Sequence, residues 1–247
     1  RGLSGAFQGR VPDGVERQPR ETVGEEGGLA VAAHLTCVDA SKDEIAAVAD
    51  AYWDAGVRHI VALRGDPPGD PRGEWVAHPG GLDHADQLVS LVRGSGDFEV
   101  GVAAFPDVHP DSASLEEDVQ TLVRKADAGA TFAVTQMVFD PETYLRLRDA
   151  VSARREMPIS AGIMPITSIR QITRMAELMG TPLPEAVLSR LRAVEDDPAA
   201  VREVGMDIAT EHAERMLSEG APGLHFITMN RSTATIELRS RLAGQLG

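Results

Sequence analysis

Side chains able to hold or polarise a ligand collect at the ends of short apolar runs in this chain. His34 and Thr36 come late in LAVAAHLTC (29–37). Arg64 ends HIVALRG (59–65), and Asp66 follows it. Asp107 and His109 come after EVGVAAF (99–105), and Thr135 and Gln136 lie in FAVTQMVF (132–139). Thr228, Asn230 and Arg231 close GLHFITMN (223–230). Guanidinium, imidazole, amide and hydroxyl groups in one set can bind an anionic, hydrogen-bonding ligand, and a carboxylate such as Asp66 sets one negative charge beside it. Each residue taken singly reads as a cap or loop residue. Five runs ending the same way point to a shared rim.

Other chemistries fit the residues less well. His78, His84 and His109 lack metal-ligand spacing, and no H-E-x-x-H occurs. Cys37 has no cation adjacent in sequence and reads as a small buried apolar residue rather than a thiolate nucleophile. Gly94-Ser95-Gly96 lacks the third glycine and the strand–turn–helix setting of a dinucleotide fingerprint. His34 lies inside an apolar run, where a core histidine and a ligand contact are equally open readings. Arg124 and Lys125 come late in a helical pattern, where they complement the helix dipole; reach toward a diphosphate is the alternative.

The elements that must carry these residues alternate regularly. The apolar runs suit buried parallel strands. Between them lie amphipathic segments with start and stop signals. Ser41 and Glu44 form an S-x-x-E capping box ahead of Ile45, Val48, Ala49, Tyr52 and Trp53, with Gly56 at the far end. Residues 83–93 read as a helix after a Pro/Gly-rich loop at 66–81. Ser114 and Glu117 suggest a second capping box. Asp140 with Pro141 opens another helix, and Thr167 or Ser168 caps one that stops at Gly180. Ile159–Pro165 is a fifth strand. Helices are expected at 184–193, at 198–218 and from about Ser232. Alternating strands and helices imply parallel β/α units with right-handed crossovers, in a barrel or a doubly wound sheet. Ligands in either bind at the C-terminal ends of the strands. Residues 1–28, rich in glycine and scattered charge, are expected to be irregular and outside the regular domain at 29–247.

The chain has 247 residues and is 43% hydrophobic, enough for one large core or two small ones. Lys and Arg total 24 against 38 Asp and Glu, giving a formal net charge of −14. Such a field repels phosphate backbones and anionic membranes, so nucleic-acid and membrane partners are not expected. One cysteine allows no internal disulfide framework, and no apolar run reaches membrane-span length. A reduced, cytoplasmic protein is expected.

Several blocks together resemble methylenetetrahydrofolate reductase of the bacterial type. They are His34-Leu35-Thr36-Cys37, Tyr52-Trp53-Asp54-Ala55-Gly56, His59 to Asp66, Ala104 to Pro110, Lys125 to Ala130, Thr135 to Asp140, Gly162-Ile163-Met164-Pro165 and Thr228-Met229-Asn230-Arg231. They span roughly residues 29–231 in order. The resemblance implies a TIM (β/α)8-type barrel. It implies FAD as cofactor, NAD(P)H as electron donor and 5,10-methylenetetrahydrofolate as substrate, reduced to 5-methyltetrahydrofolate in one-carbon metabolism and methionine supply. A homo-oligomer is expected. His34, Arg64, Gly65, Asp66, Ala85, Phe105 and His109 match the family's flavin contacts. Asp118, Thr121, Arg124 and Lys125 fall where the family holds the rest of the FAD. Phe105 stands where the family often has Tyr. By the same resemblance Asp66 is the electrostatic catalytic carboxylate, shared by flavin and folate. Gln136, Gln171 and Arg231 are implied folate contacts.

The family's opening strand F-E-F-F-P-P, with its general-acid Glu, and its second strand V-S-V-T-Y-G do not occur in this sequence. Glu16, Glu21, Glu25 and Glu26 sit in no strand-like run and match neither. Six β/α units are recognisable, so an incomplete barrel is expected. The abrupt start of the match is read as a truncation or frame shift, with a divergent form as the other reading. A catalytically impaired flavin-binding chain is the alternative to a working reductase.

Overall fold

Each apolar run becomes a strand and each capped amphipathic stretch a helix in the computed structural model, which describes residues 30–67, 75–181, 183–230 and 232–245. The strands are β1 (Ala32–Thr36), β2 (His59–Leu63), β3 (Glu99–Ala104), β4 (Phe132–Met137), β5 (Ile159–Ile163) and β6 (Leu224–Phe226). The helices are α1 (Lys42–Asp54), α2 (Ala85–Ser95), α3 (Leu115–Asp127), α4 (Pro141–Ser152), α5 (Ile169–Met179), α6 (Glu185–Arg192), α7 (Pro198–Ser218) and α8 (Ser232–Arg241). The expected irregular segment at 1–28, Leu29 of the first run, Arg231 and residues 68–74 of the long loop lie outside the described residues.

The strand order is β1-β2-β3-β4-β5-β6, the order of the chain. Pairing is parallel, with Ala32 opposite His59, His59 opposite Glu99 and Ala161 opposite Leu224. The described residues form an α/β fold of six parallel strands alternating with helices. β1 and β6 end the order, so the sheet of the described residues is not closed. The expectation of an incomplete barrel agrees with it.

By contacts the described chain divides into two units. The first holds the residues up to Ala103 together with Thr121–Ala133. Here α1 packs on α2, and α2 on β2. Ile45, Ala49 and Tyr52 of α1 are buried, as are Leu88, Val89 and Val92 of α2. Their i, i+4, i+7 and i, i+1, i+4 spacing is the reason these sequences form helices with one apolar face. The Ser41 hydroxyl accepts from the Glu44 N–H at 3.3 Å, and the Glu44 carboxylate accepts from the Ser41 N–H at 2.9 Å, so the capping box forms as the sequence implies. In this unit Thr131 N–H donates to Val100 C=O at 2.8 Å, where β4 begins beside β3.

The second unit holds Ala104–Gln120 and Val134–Gly247. Its core joins Met137 at the end of β4 and Phe139 after it, Met164 and Ile166 after β5, Ile172 of α5, Leu191 of α6 and Ile208 of α7. The long α7 packs on α4, α6, α8 and β5. Asp140, Ser168 and Asp197 cap their helices through side-chain oxygens, and Gly180 closes α5 at φ 70°. The second capping box is displaced by one residue: the Ser114 hydroxyl accepts from Glu117 N–H, but the Glu117 carboxylate takes the N–H of Ala113. β6 is three residues long, shorter than the eight-residue run suggested. The remainder of that run turns at Met229 and Asn230, which adopt φ of 47° and 56°.

Candidate functional site

In the first unit, the residues after β1 and β2 are tied together by the backbone. Cys37 N–H donates to Leu63 C=O at 3.3 Å, and the Cys37 thiol donates to Arg64 C=O at 3.4 Å. Burial pushes the Cys37 thiol up to about 11, which keeps it protonated and inert, as its sequence setting implies. Gly65 turns the chain at φ 88°, and a Cβ there would come within 2.7 Å of Val38 Cγ1. Only glycine combines that dihedral with that closeness. Asp66 follows on the surface. The Arg64 guanidinium lies 5.0 Å from the centroid of the Trp75 ring, a cation–π contact. The indole N–H of Trp75 is buried and has no hydrogen-bond acceptor. A buried donor left unpaired costs about 1–3 kcal/mol, so it marks a place suited to an acceptor-rich ligand.

The other residues of this unit singled out from sequence are spread over its elements. His34 is half-buried on β1, and Ala85 is buried at the start of α2. Lys125 Nζ donates to Ala103 C=O at 3.0 Å, and Arg124 donates to the Thr121 hydroxyl at 2.8 Å. The late-helix position of Arg124 and Lys125 is as the dipole argument expects.

In the second unit, β3 gives way to a loop built around Asp118. The buried Asp118 carboxylate accepts from His109 N–H at 2.9 Å and from the Ser112 hydroxyl at 2.6 Å. It therefore braces the loop that presents Phe105 and His109, whose rings meet edge-on with centroids 4.2 Å apart. Asp107 lies in the same loop. Burial raises its carboxyl above the ordinary range, the Asp140 carboxylate adds to the effect, and Arg146 opposes it. Gln136 is half-buried on β4. The buried Thr135 beside it accepts from Gly162 N–H at 2.7 Å and so fixes β4 against β5.

A cleft of about 530 Å³ opens at the C-terminal ends of β5 and β6. Its lining includes Pro165, Thr167, Gln171, Thr228, Asn230 and Arg202. The volume falls within the range of small-molecule sites, roughly 300–1,000 Å³. Gln171 Oε1 accepts from both the N–H and the hydroxyl of Thr167, at 2.9 and 2.8 Å, which orients its amide at the wall. Hydroxyl and amide groups and one guanidinium around a cavity of this size suit a hydrogen-bonding small molecule.

The structure thus places Gln171 on a real cleft and Arg64, Gly65 and Asp66 on one turn after β2. Trp75 and Arg202 were not legible as site residues. Arg202 sits in α7 like any solvated helix cation. A Trp within a Pro/Gly-rich loop was the one available signal for Trp75, because a large aromatic seldom occupies such a loop without a contact.

The family model for methylenetetrahydrofolate reductase matches residues 17–243. The 5,10-methylenetetrahydrofolate reductase of Escherichia coli (strain K12) is 41% identical over 207 residues, covering 83% of this chain and 67% of the relative. That of Salmonella typhimurium is 40% identical over 210 residues, with 84% and 68% covered. That of Buchnera aphidicola subsp. Schizaphis graminum is 34% identical over 213 residues, with 86% and 70% covered. Among solved structures, an uncharacterized protein from Clostridium thermocellum that binds two copies of 5-methyl-5,6,7,8-tetrahydrofolic acid has a TM-score of 0.56. Its identity is 15%, and 88% of this chain and 76% of that one are covered, a likeness of fold.

Proposed function

The chain belongs to the methylenetetrahydrofolate reductase family, and from that premise we propose that it reduces 5,10-methylenetetrahydrofolate to 5-methyltetrahydrofolate with FAD as carrier and NAD(P)H as electron donor. The observation that carries the reading at the site is the polar cleft after β5 and β6, with Gln171 fixed on its wall. Gln171 would hold the folate there, together with Gln136 and Arg231. Reduction opens the bridge of the substrate: one carbon–nitrogen bond breaks, that nitrogen takes a proton, and a hydride converts the remaining methylene to a methyl group. Asp66 would stabilise the cationic iminium form that accepts the hydride.

The first unit fits a flavin on its own residues. The orphaned Trp75 N–H and the adjacent Arg64 guanidinium set donors at one place, and the Gly65 turn leads the chain from them to Asp66. His34, Ala85, Thr121, Arg124 and Lys125 would hold the remainder from the same unit. When bound, the flavin supplies two-electron acceptance from the nicotinamide and hydride donation to the folate. We further read the protein as a cytoplasmic homo-oligomer. No helix among the described residues is long and apolar enough to cross a membrane.

The test is to purify the chain, measure flavin content by absorbance, and follow folate product with NADH and with NADPH. A yellow protein forming 5-methyltetrahydrofolate is expected, and Asp66→Asn should slow that step about 10²-fold. A colourless protein with no folate turnover would overturn the reading. Flavin and folate binding without turnover would select the impaired chain instead.

A further inference from the structure

Gln171 does more than line the cleft. It is the third residue of α5, and the N-cap Ser168 accepts its N–H at 3.1 Å. A glutamine at that position ordinarily reaches back to the N–H of the N-cap. Here it reaches one residue further. Its Oε1 accepts from both the N–H and the hydroxyl of Thr167, at 2.9 and 2.8 Å. A backbone N–H can only donate, so the amide atom that meets it is the oxygen. Two donors fill the two lone pairs of that oxygen. The amide nitrogen is placed differently. Its neighbours are Pro165 C=O at 3.4 Å and the Met164 sulfur at 3.9 Å, both long for a hydrogen bond. The bonding capacity that Gln171 keeps at the cleft wall is therefore that of a donor. Turning the amide over would set its NH2 against the Thr167 N–H, donor to donor, a conflict that no rotation of the hydroxyl relieves.

We propose that Thr167 is a positioning residue that holds the Gln171 amide as a fixed hydrogen-bond donor, so that the cleft selects a ligand with a carbonyl oxygen at that point. The inference rests on the functional reading given above and deepens it: the folate carries such oxygens on its pterin ring and on its benzoyl amide. A ligand that presents a donor there meets another donor and is rejected. Fixing the amide before the ligand arrives also spares the entropy of ordering it on binding.

A purely structural role for Gln171, as part of the α5 cap, has a different consequence. Glutamate in its place has the same shape and accepts more strongly from both Thr167 donors. It also adds a negative charge to a helix N-terminus. As a cap it is an improvement. Toward the cleft it exchanges the donor for an acceptor. Stability and affinity should therefore part company in Gln171→Glu.

The test is calorimetric binding of 5-methyltetrahydrofolate to the full chain, with a thermal melt of each variant. Gln171→Glu is expected to melt no lower than the wild type and to bind at least about ten-fold more weakly. Thr167→Val, which keeps the N–H and removes the hydroxyl, should weaken binding about three-fold, and Thr167→Ser should restore it. That pair decides the matter if Gln171→Glu does not fold. A second ligand, 6-methyltetrahydropterin, has the pterin carbonyl and no benzoyl amide. Equal weakening of both ligands by Gln171→Glu assigns the contact to the pterin, and weakening of the folate alone assigns it to the amide. A Gln171→Glu or Thr167→Val chain that binds the folate as tightly as the wild type would overturn the inference and leave the functional reading in place. A wild-type chain that does not bind the folate would overturn both.

Discussion

Thr135 is 2% exposed, and its hydroxyl serves two partners: it accepts from Gly162 N–H and donates to Gln136 C=O, both at 2.7 Å. Thr135→Val keeps the shape and removes both bonds, stranding a buried N–H. The expected loss is about 1–3 kcal/mol in a urea unfolding midpoint, with Thr135→Ser losing much less. Gly162 is constrained from the other side. A Cβ there would meet the backbone carbonyl oxygens of Gln136 and, at 2.6 Å, Thr135. Backbone cannot rotate away as a side-chain tip can, so Gly162→Ala should destabilise by about 1–3 kcal/mol in the same experiment. In the first unit, the buried and protonated Cys37 should resist thiol alkylation at pH 8 until the chain is unfolded. Rapid labelling of the folded protein would contradict the placement of its thiol on Arg64 C=O. The types at these positions were readable in the sequence, but their double bonding was not. Thr135 sat among the rim residues, and only the register of β4 against β5 turns its hydroxyl onto Gly162.

The helices were the most legible elements. Ser41 with Glu44, Asp140 with Pro141, and Gly180 mark ends that the structure reproduces, because a cap satisfies amide groups within its own few residues. Asp197 does the same for α7, accepting from Ala199 and Ala200 N–H at 2.9 and 3.3 Å. Ser41→Ala and Asp197→Ala should each cost about 1 kcal/mol by chemical denaturation. The Asp197 variant should also loosen the α7 corner that carries Arg202. The displaced box at Ser114 shows the limit of such reading. The sequence supplies a carboxylate at the right spacing, while the turn before α3 chooses which N–H it meets. The joint between α7 and α8 was illegible for a different reason. Arg202, Glu203, Asp207, Glu237 and Arg241 look like ordinary surface charge, and pairs of helix positions 35 residues apart carry no local signature.

At the scale of the molecule, two half-buried histidines weaken stability on the acid side. Burial lowers His212 and His225 below the ordinary 6.5. Below pH 6.5 the unfolded chain takes up protons that the folded chain refuses, so stability falls as pH drops until the folded values are reached. Each group contributes at most about 1.4 kcal/mol per pH unit in that window. Asp107 acts in the opposite sense lower down: its raised carboxyl binds a proton more readily in the folded chain and offsets part of the loss in the carboxylate range. Thermal melts from pH 7.5 to 5.5 should show a falling midpoint, and His212→Gln should flatten that slope. A midpoint independent of pH over this span would contradict neutral burial of the two imidazoles.

The sequence by itself determined the alternation of six strands and their helices, the caps, the inert cysteine, and through its motifs the family. These follow from hydrophobic period, from bonding within a few residues, and from blocks of adjacent types, all written along the chain. Only the tertiary structure decided that Gln171 lies on the wall of a cleft, that Asp118 braces a loop, and that the Trp75 N–H beside Arg64 lacks an acceptor. It alone put Arg202 in the lining of that cleft. Each depends on which distant segments a strand register or a helix packing brings within hydrogen-bond reach. That is a property of the folded chain as a whole, because the entropy of closing such contacts is offset only by the summed burial of the core.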